Sequence, residues 1–181
     1  MRWLKRSLVF FVRGAEEVPC PCCTEKLVVI GSRERKARGG DGELRRLVIR
    51  RLRCAGCRKI HHELPDLLVP YKRYESNSME QVLTEPEASV SVCAETSTLR
   101  RWKSWFQVLA VYFMLALQAL SARFPGVASR LREPSFPSPV VSTETFRHER
   151  PGWLARLVRP IANAQLWVHT RFAYLSASPL R

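Results

Sequence analysis

Two cysteine pairs constrain this 181-residue chain more than any other feature of its sequence. Cys20 and Cys23 form one Cys-x-x-Cys step, and Cys54 and Cys57 form a second, with 30 residues between the two steps. Each step curls the backbone so that two sulfurs face one point, and two steps supply the four thiolates that a tetrahedral Zn²⁺ requires. The spacing therefore predicts a structural zinc site with these four cysteines as ligands.

The segment between the cysteine pairs is expected to fold back on itself as a β-hairpin. Residues 27–30 and 44–53 are rich in the apolar and β-branched residues that are typical of strands. Residues 33–43 contain three glycines, which suit the turn between them. The hairpin brings the second cysteine pair back to the first, as in a zinc ribbon, and residues 7–12 are expected to add a further strand.

Neighbouring side chains leave the ligand set open. Cys22 is interpreted as a spare thiol that could exchange with Cys23, and His61 or His62 could replace one cysteine. Disulfides are disfavoured, because the apolar run after the basic N terminus is too short for the core of a secretory signal. Cys93 is expected to be a small buried apolar residue rather than a ligand.

Positive charge is concentrated in the same hairpin. The chain carries 30 basic and 16 acidic residues, and residues 26–59 hold twelve of the former and three of the latter. One-sided charge favours a polyanionic partner through counterion release, and the planar fork of arginine suits phosphate oxygens and guanine edges. The alternatives to a nucleic-acid partner are that these charges form an ordinary solvated surface or that they bind anionic lipid. The residues predicted to contact DNA are Arg45, Arg46, Arg50, Arg51 and Arg53.

A helix-turn-helix unit is predicted after the hairpin. An N-cap at Asn77, with Glu80 as its reciprocal carboxylate, opens a first helix. A capping box at residues 84–87 opens a second helix that runs to about Glu95, and Thr96 opens a third. In such a unit the start of the last helix meets phosphates and base edges. The candidate DNA contacts there are Ser97, Thr98, Arg100, Arg101, Lys103 and Ser104.

The third helix carries a predicted buried stripe at steps of three and four residues, formed by Leu99, Trp102, Phe106, Leu109 and Phe113. It continues into an apolar stretch, residues 108–120, in which Gln118 is the one strongly polar residue. A helix that is apolar on two sides is buried by two neighbours or spans a membrane. At ~1.5 Å per residue the stretch is roughly 20 Å long, short of the ~30 Å hydrocarbon core, so no membrane span is predicted. The expected partners are C-terminal helices, with a break or kink at Pro160, or a second copy of the chain.

The expected fold class is α+β, with an N-terminal zinc-ribbon hairpin followed by a mainly helical region and C-terminal helices. The predicted divisions are a zinc ribbon with an N-terminal strand at 1–60, a link at 61–76, the helix-turn-helix and long apolar helix at 77–131, a Pro/Ser-rich linker at 132–152 and a C-terminal helical segment at 153–181.

Several motifs resemble those of a family of small, uncharacterised bacterial proteins that is often considered transposon-associated. The sequence RLRCAGC at residues 51–57 looks like the zinc ribbons at the front of bacterial transposases. The resemblance continues through HELPD at 62–66, LVPYKRY at 68–74, STLRRW at 97–102 and WVHTRFAYLS at 167–176. It implies a mobile-element or regulatory DNA-binding role, with a transposase as a possible partner, and it carries over no catalytic residue.

Catalysis is not expected. Transposition chemistry needs clustered carboxylates that hold two metal ions, and the chain has two aspartates, Asp41 and Asp66. We therefore predict a cytoplasmic, nucleoid-associated, zinc-dependent reader of duplex DNA that takes no small-molecule substrate and acts as a homodimer or with a transposase. The alternatives are a zinc-ribbon module for protein–protein interaction that assembles through its apolar helix, and a membrane-associated basic protein.

Overall fold

The computed structural model describes residues 9–14, 19–123, 151–168 and 173–176. Within these ranges the chain combines a five-stranded sheet with three α-helices, which confirms the predicted α+β class. The strands are β1 (Val9–Phe11), β2 (Leu27–Arg38), β3 (Leu44–Cys54), β4 (Ile60–Pro65) and β5 (Ala173–Ser176). The helices are α1 (Ser76–Thr84), α2 (Thr96–Arg123) and α3 (Trp153–Asn163).

Strands β2 and β3 form the antiparallel hairpin that the sequence predicts between the cysteine pairs. Its turn closes where the Gly39 N–H donates to the Glu43 carbonyl over 3.0 Å, and Gly42 there has a φ of 81°, a left-handed conformation that glycine adopts without strain. Strand β2 is longer than predicted, because it passes an irregularity at Gly31 and continues through residues 33–38. Those residues are mostly charged, so an apolar pattern did not mark them as strand.

Strand β3 is the centre of the sheet. One edge pairs with β2, while the other edge pairs with β1 at residues 46–48 and with β4 at residues 51–53. Strand β5 adds to β4 in parallel. The segment predicted as a link thus contains most of strand β4, and the segment predicted as C-terminal helical contains strand β5. The early strand expected within residues 7–12 is confirmed as β1.

The helices build the core against one face of the sheet. Trp102, Phe106 and Phe113 of α2 are buried, which confirms the stripe predicted from their spacing. They meet α3, where Trp153 lies edge-on to Phe106 with ring centroids 5.4 Å apart. The predicted packing of the apolar helix on a C-terminal helix is therefore confirmed. Helix α3 runs through Pro160 to its end at Asn163, so of the break or kink expected at the proline, a break does not occur.

The opposite face of α2 stays exposed in the described part of the chain. Val108, Val111 and Leu115 are 75%, 51% and 60% exposed. By length and composition, α2 is the one described helix that could cross a membrane. Its buried side chains, however, belong to the same hydrophobic core as those of the sheet.

The connection between α1 and α2 differs from the prediction. Instead of a helix up to Glu95, residues 85–95 contain one 3₁₀ turn, Glu87–Ser89, and otherwise irregular chain. Proline at position 86 disfavours a helical residue before it, and Glu85 indeed has an extended ψ of 151°. Cys93, expected to be buried, is exposed. A compact helix-turn-helix is therefore not shown.

Glu80 has a different role from the one predicted. Asn77 lies inside α1 rather than at its N-cap, and Glu80 does not close a capping box there. Its carboxylate is buried and accepts hydrogen bonds from the Gly152 N–H over 2.7 Å and from the Leu154 N–H over 2.9 Å. Glu80 therefore caps the N terminus of α3, more than 70 residues away in sequence.

Candidate metal centre

The two cysteine pairs adopt the same backbone structure. The Cys20 N–H donates to the Glu25 carbonyl over 2.8 Å, and the Cys54 N–H donates to the Lys59 carbonyl over 3.0 Å. Each loop is thus closed five residues after its first cysteine. The first loop precedes β2 and the second follows β3, so that the hairpin brings both loops to one end of the sheet.

The residue after each cysteine pair has a left-handed backbone. Thr24 has a φ of 64° and Arg58 a φ of 58°. Such a conformation costs a non-glycine residue on the order of 1–2 kcal/mol. The left-handed residue occurs at the same position in both loops. This indicates that it turns the chain away from the loop while the two sulfurs of the loop keep facing the centre of the cysteine cluster. The sequence gives no sign of it, because neither position is glycine.

The four predicted ligands meet. The sulfurs of Cys20, Cys23, Cys54 and Cys57 lie within 4.8 Å of one another, a cluster that could hold a metal ion. The Cys23 and Cys54 sulfurs are 3.3 Å apart, and those of Cys20 and Cys57 are 3.7 Å apart. Tetrahedral coordination at a metal–sulfur distance of ~2.3 Å places sulfurs ~3.8 Å apart. The cluster therefore fits a four-thiolate site with small adjustments.

The thiols differ in their acidity. Burial raises the pKa of Cys20 to about 12, while the pKa of Cys54 falls to about 6. Burial opposes ionisation at Cys54 too, but hydrogen bonds from the Cys23 thiol and the Cys57 N–H outweigh it. Without a cation the four groups therefore do not all ionise near neutral pH. A bound metal ion would supply the positive charge that four adjacent thiolates need.

A histidine lies directly beside the cluster. His61 is fully buried, and its Nε2 is 3.5 Å from the Cys20 sulfur. Burial lowers the pKa of His61, which favours the neutral imidazole. With Cys20 and Cys22 it forms a second group of possible ligands, whereas His62 joins neither group. Because the four cysteines already complete a tetrahedral shell, His61 is placed to support Cys20 rather than to replace it.

Cys22 has its own surroundings. Its sulfur accepts hydrogen bonds from the Gln165 amide over 2.9 Å and from the Lys59 ammonium over 3.6 Å. Its pKa is lowered, since these bonds and the lysine charge outweigh the opposing effect of burial. Gln165 comes from the turn after α3, a contact that the sequence could not reveal.

Three of the five arginines predicted to contact DNA face carboxylates. Arg45 pairs with Glu75 at 2.7 Å and Arg46 with Glu34 at 3.8 Å. Arg50 forms a two-pronged ion pair with the buried Glu63. Two of these three carboxylates lie outside the hairpin, which explains why the charge count alone did not identify the pairs. Of the remaining two, Arg51 is half-buried and Arg53 is exposed.

The candidate contacts on α2 occupy its first two turns. Ser97, Arg100, Arg101 and Ser104 are exposed, while Thr98 and Lys103 are half-buried. Arg101 bonds within its own turn, to the Ser97 carbonyl at 3.3 Å and the Thr98 hydroxyl at 3.4 Å. These side chains lie at a helix N terminus, but the helix predicted at residues 84–95 is absent and residues 85–95 separate α2 from α1.

Comparison with known proteins gives one family. The model of a domain of unknown function, DUF6431, matches residues 20–102. The matched part contains both cysteine loops, the hairpin, β4, α1 and the start of α2. No curated protein and no solved structure shows a significant match. The match over residues 20–102 confirms the expected resemblance to an uncharacterised family. It gives no activity and no link to transposons.

Proposed function

We propose that this chain is a zinc-stabilised protein that binds duplex DNA and catalyses no reaction. One observation carries the proposal: a four-cysteine cluster fastens the open end of a long hairpin, and residues 26–59 hold twelve basic and three acidic residues. A rigid, strongly basic hairpin suits a rigid polyanion, because each neutralised phosphate releases bound counterions.

Zinc is the proposed metal. An all-sulfur set of four ligands selects soft or borderline metals, and tetrahedral geometry without an open position is typical of structural zinc. Cys20, Cys23, Cys54 and Cys57 would hold the ion, which would cross-link the two loops. A closed shell leaves no site for water activation, which supports a structural rather than catalytic role.

The start of α2 is a second proposed contact region. Arg100 and Arg101 are exposed in its first turns, where backbone N–H groups and the helix dipole favour phosphate. Arg101→Ala would leave the fold intact but relax sequence preference if this helix reads bases, as in the DNA-binding helices of helix-turn-helix proteins.

The biological setting is proposed from the resemblance to transposon-associated proteins. A non-catalytic DNA reader in the bacterial cytoplasm, associated with the nucleoid and acting as a homodimer or beside a transposase, agrees with a net charge of +14. No small-molecule substrate is proposed.

The proposal is tested with zinc-loaded protein and a fluorescent random-sequence duplex. We expect binding that weakens steeply with salt, with log K falling by ~0.9 per log unit of salt for each phosphate contact. Selection from random duplexes would then identify any preferred site. Binding that is undetectable at 50 mM salt, or the same with and without zinc, contradicts the proposal.

A second candidate function is assembly with a protein partner. Val108, Val111 and Leu115 are at least half exposed on one face of α2, and exposed apolar patches on soluble proteins mark interaction surfaces. Sedimentation of the parent and of Val108→Ser/Leu115→Ser separates the two functions. Loss of self-association with unchanged DNA affinity would assign this face to assembly.

A further inference from the structure

Four basic side chains lie close together on the helix-facing side of the sheet, at the end of the helix-covered core. Arg33 pairs with Ile49 across the hairpin, and Ile49 is buried toward the helices, so Arg33 shares its face. Arg35 lies two residues further on the same strand, on that face. Arg51 is two residues beyond Ile49, and its partner across the next strand is His62.

No acidic side chain neutralises these four residues within the described part of the chain. The hairpin arginines that pair with carboxylates are Arg45, Arg46 and Arg50 instead. The guanidinium of Arg35 donates to the Lys72 carbonyl over 3.1 Å, a neutral acceptor. Within the hairpin, Arg45, Arg46 and Arg50 thus lie beside a carboxylate, whereas Arg33, Arg35 and Arg51 lie beside one another.

This arrangement opposes folding in the absence of an anion. Burial and the neighbouring Arg33 lower the pKa of Arg35, and burial together with Arg33, Arg51 and Arg35 lowers that of His62. Both shifts have the same physical origin, since positive charges repel and lose hydration when they are partly covered. An anion placed among them would relieve both costs.

Among the described residues, the surface beside the cluster is open. Gly31 is the hairpin partner of Arg51, and a side chain at that position would meet no atom of the described residues within 4 Å. The site is therefore accessible from the β2 side, where a phosphate could approach Arg33 and Arg51 together. Guanidinium groups bind phosphate oxygens through paired N–H donors.

We propose that Arg33, Arg35, Arg51 and His62 form a phosphate-binding cluster that holds the DNA backbone against the hairpin, an inference that rests on the function proposed above. Of the arginines predicted from the sequence, it retains Arg51. The proposed phosphate contacts are the arginines that lie beside one another rather than the three that face carboxylates, a distinction that the charge count could not make.

The test compares matched pairs of charge removals in the full-length zinc-loaded protein. Arg33→Gln/Arg51→Gln removes two charges from the cluster. Lys36→Gln/Arg38→Gln removes two exposed charges from the opposite face of β2. Binding to a random-sequence duplex is measured by fluorescence anisotropy over a salt series, and thermal melting checks that each variant folds.

We expect the cluster variant to flatten the salt slope by about 1.8, or ~0.9 per contact, and to lose affinity on the order of tenfold per contact near 0.1 M salt. The control should retain the parent's slope. If the control loses as much affinity and salt slope as the cluster variant, the attraction to DNA is diffuse. That result overturns the phosphate-binding cluster but leaves the proposed DNA binding in place. If both double variants bind as the parent does, the phosphates contact another surface.

Failure of the parent to bind duplex DNA is a separate result, which removes the proposed function and the cluster with it. If the Arg33→Gln/Arg51→Gln variant does not fold, the single variant Arg33→Gln tests the cluster, because Arg33 is exposed and its substitution should leave the fold intact. Its slope should flatten by ~0.9, and an unchanged slope overturns the cluster.

Discussion

Glu80 offers a sharp test of how the helices are fixed to one another. Its carboxylate, buried in α1, accepts two N–H groups at the start of α3, and one of these bonds is itself buried. Hydrogen bonds to a charged group contribute about 1.5–3 kcal/mol each, and a negative charge at a helix N terminus adds up to ~2 kcal/mol in a partly buried site. Removing both acceptors therefore carries a large penalty.

We expect Glu80→Ala to lower the free energy of unfolding by about 3–5 kcal/mol, since two helix N–H groups lose their acceptor. Glu80→Gln keeps one acceptor oxygen but turns an amide donor toward the second N–H. It should cost about 2 kcal/mol. Glu87→Gln makes the same substitution at an exposed position in the 3₁₀ turn. It is the control and should stay within ~0.5 kcal/mol of the parent.

The measurement is urea unfolding of the zinc-loaded protein, followed by tryptophan fluorescence. Trp153, at the start of α3, is one of the five tryptophans that contribute to this signal. If Glu80→Ala unfolds within ~1 kcal/mol of the control, the carboxylate does not fix α3 and the capping argument fails. A large loss for alanine with none for glutamine would mean that hydrogen-bond geometry matters and the charge does not.

Three further predictions concern the metal centre and α2. Cys54→Ser should lose the zinc and the hairpin together, because metal binding and folding are coupled in such a site, whereas Cys22→Ser should retain about one zinc per chain by elemental analysis. Zinc binding should release protons and become tighter from pH 6 to pH 8, since burial raises the pKa of Cys20 to about 12 and its proton must leave when zinc binds. A pH indicator in weakly buffered solution measures this release, and zinc binding without a change in the indicator would contradict the prediction. Trp102→Ala should lower the free energy of unfolding by ~3–5 kcal/mol, because Trp102 is a large buried side chain. Arg101 is exposed on the same helix, so Arg101→Ala should melt at the parent's temperature and lose ~1–3 kcal/mol of DNA-binding free energy at a cognate site. An equal loss of thermal stability in both variants would refute the contrast.

The features that could be predicted from sequence are those that local chemistry determines. A Cys-x-x-Cys step brings two sulfurs together by itself, and a hairpin between two steps brings both pairs to one end. The apolar stripe of α2 was equally visible, because Trp102, Phe106 and Phe113 recur at helical spacing. In these cases the interactions that determine the structure come from residues that are close together in the sequence or joined by one hairpin.

The features that were missed depend on distant partners. The carboxylate of Glu63 neutralises Arg50 only because β4 follows along the edge of β3. Proline at position 86 fits both the first turn of a helix and extended chain, and the sequence cannot choose between them without the packing of Val92. Charge counts treat all arginines of the hairpin alike, whereas strand register divides them between two faces.

The pairing of β4 with β5 has a consequence for how the protein is made. His62 lies opposite Ala173, so the last strand of the sheet emerges from the ribosome long after the hairpin. Until then the outer edge of β4 has backbone groups without their final partner, and such edges recruit strands from other chains. A nascent chain that pauses before Ala173, or one truncated there, would carry a finished metal site beside an unfinished sheet. Aggregation of truncated products, rather than loss of zinc, is then the expected failure during synthesis.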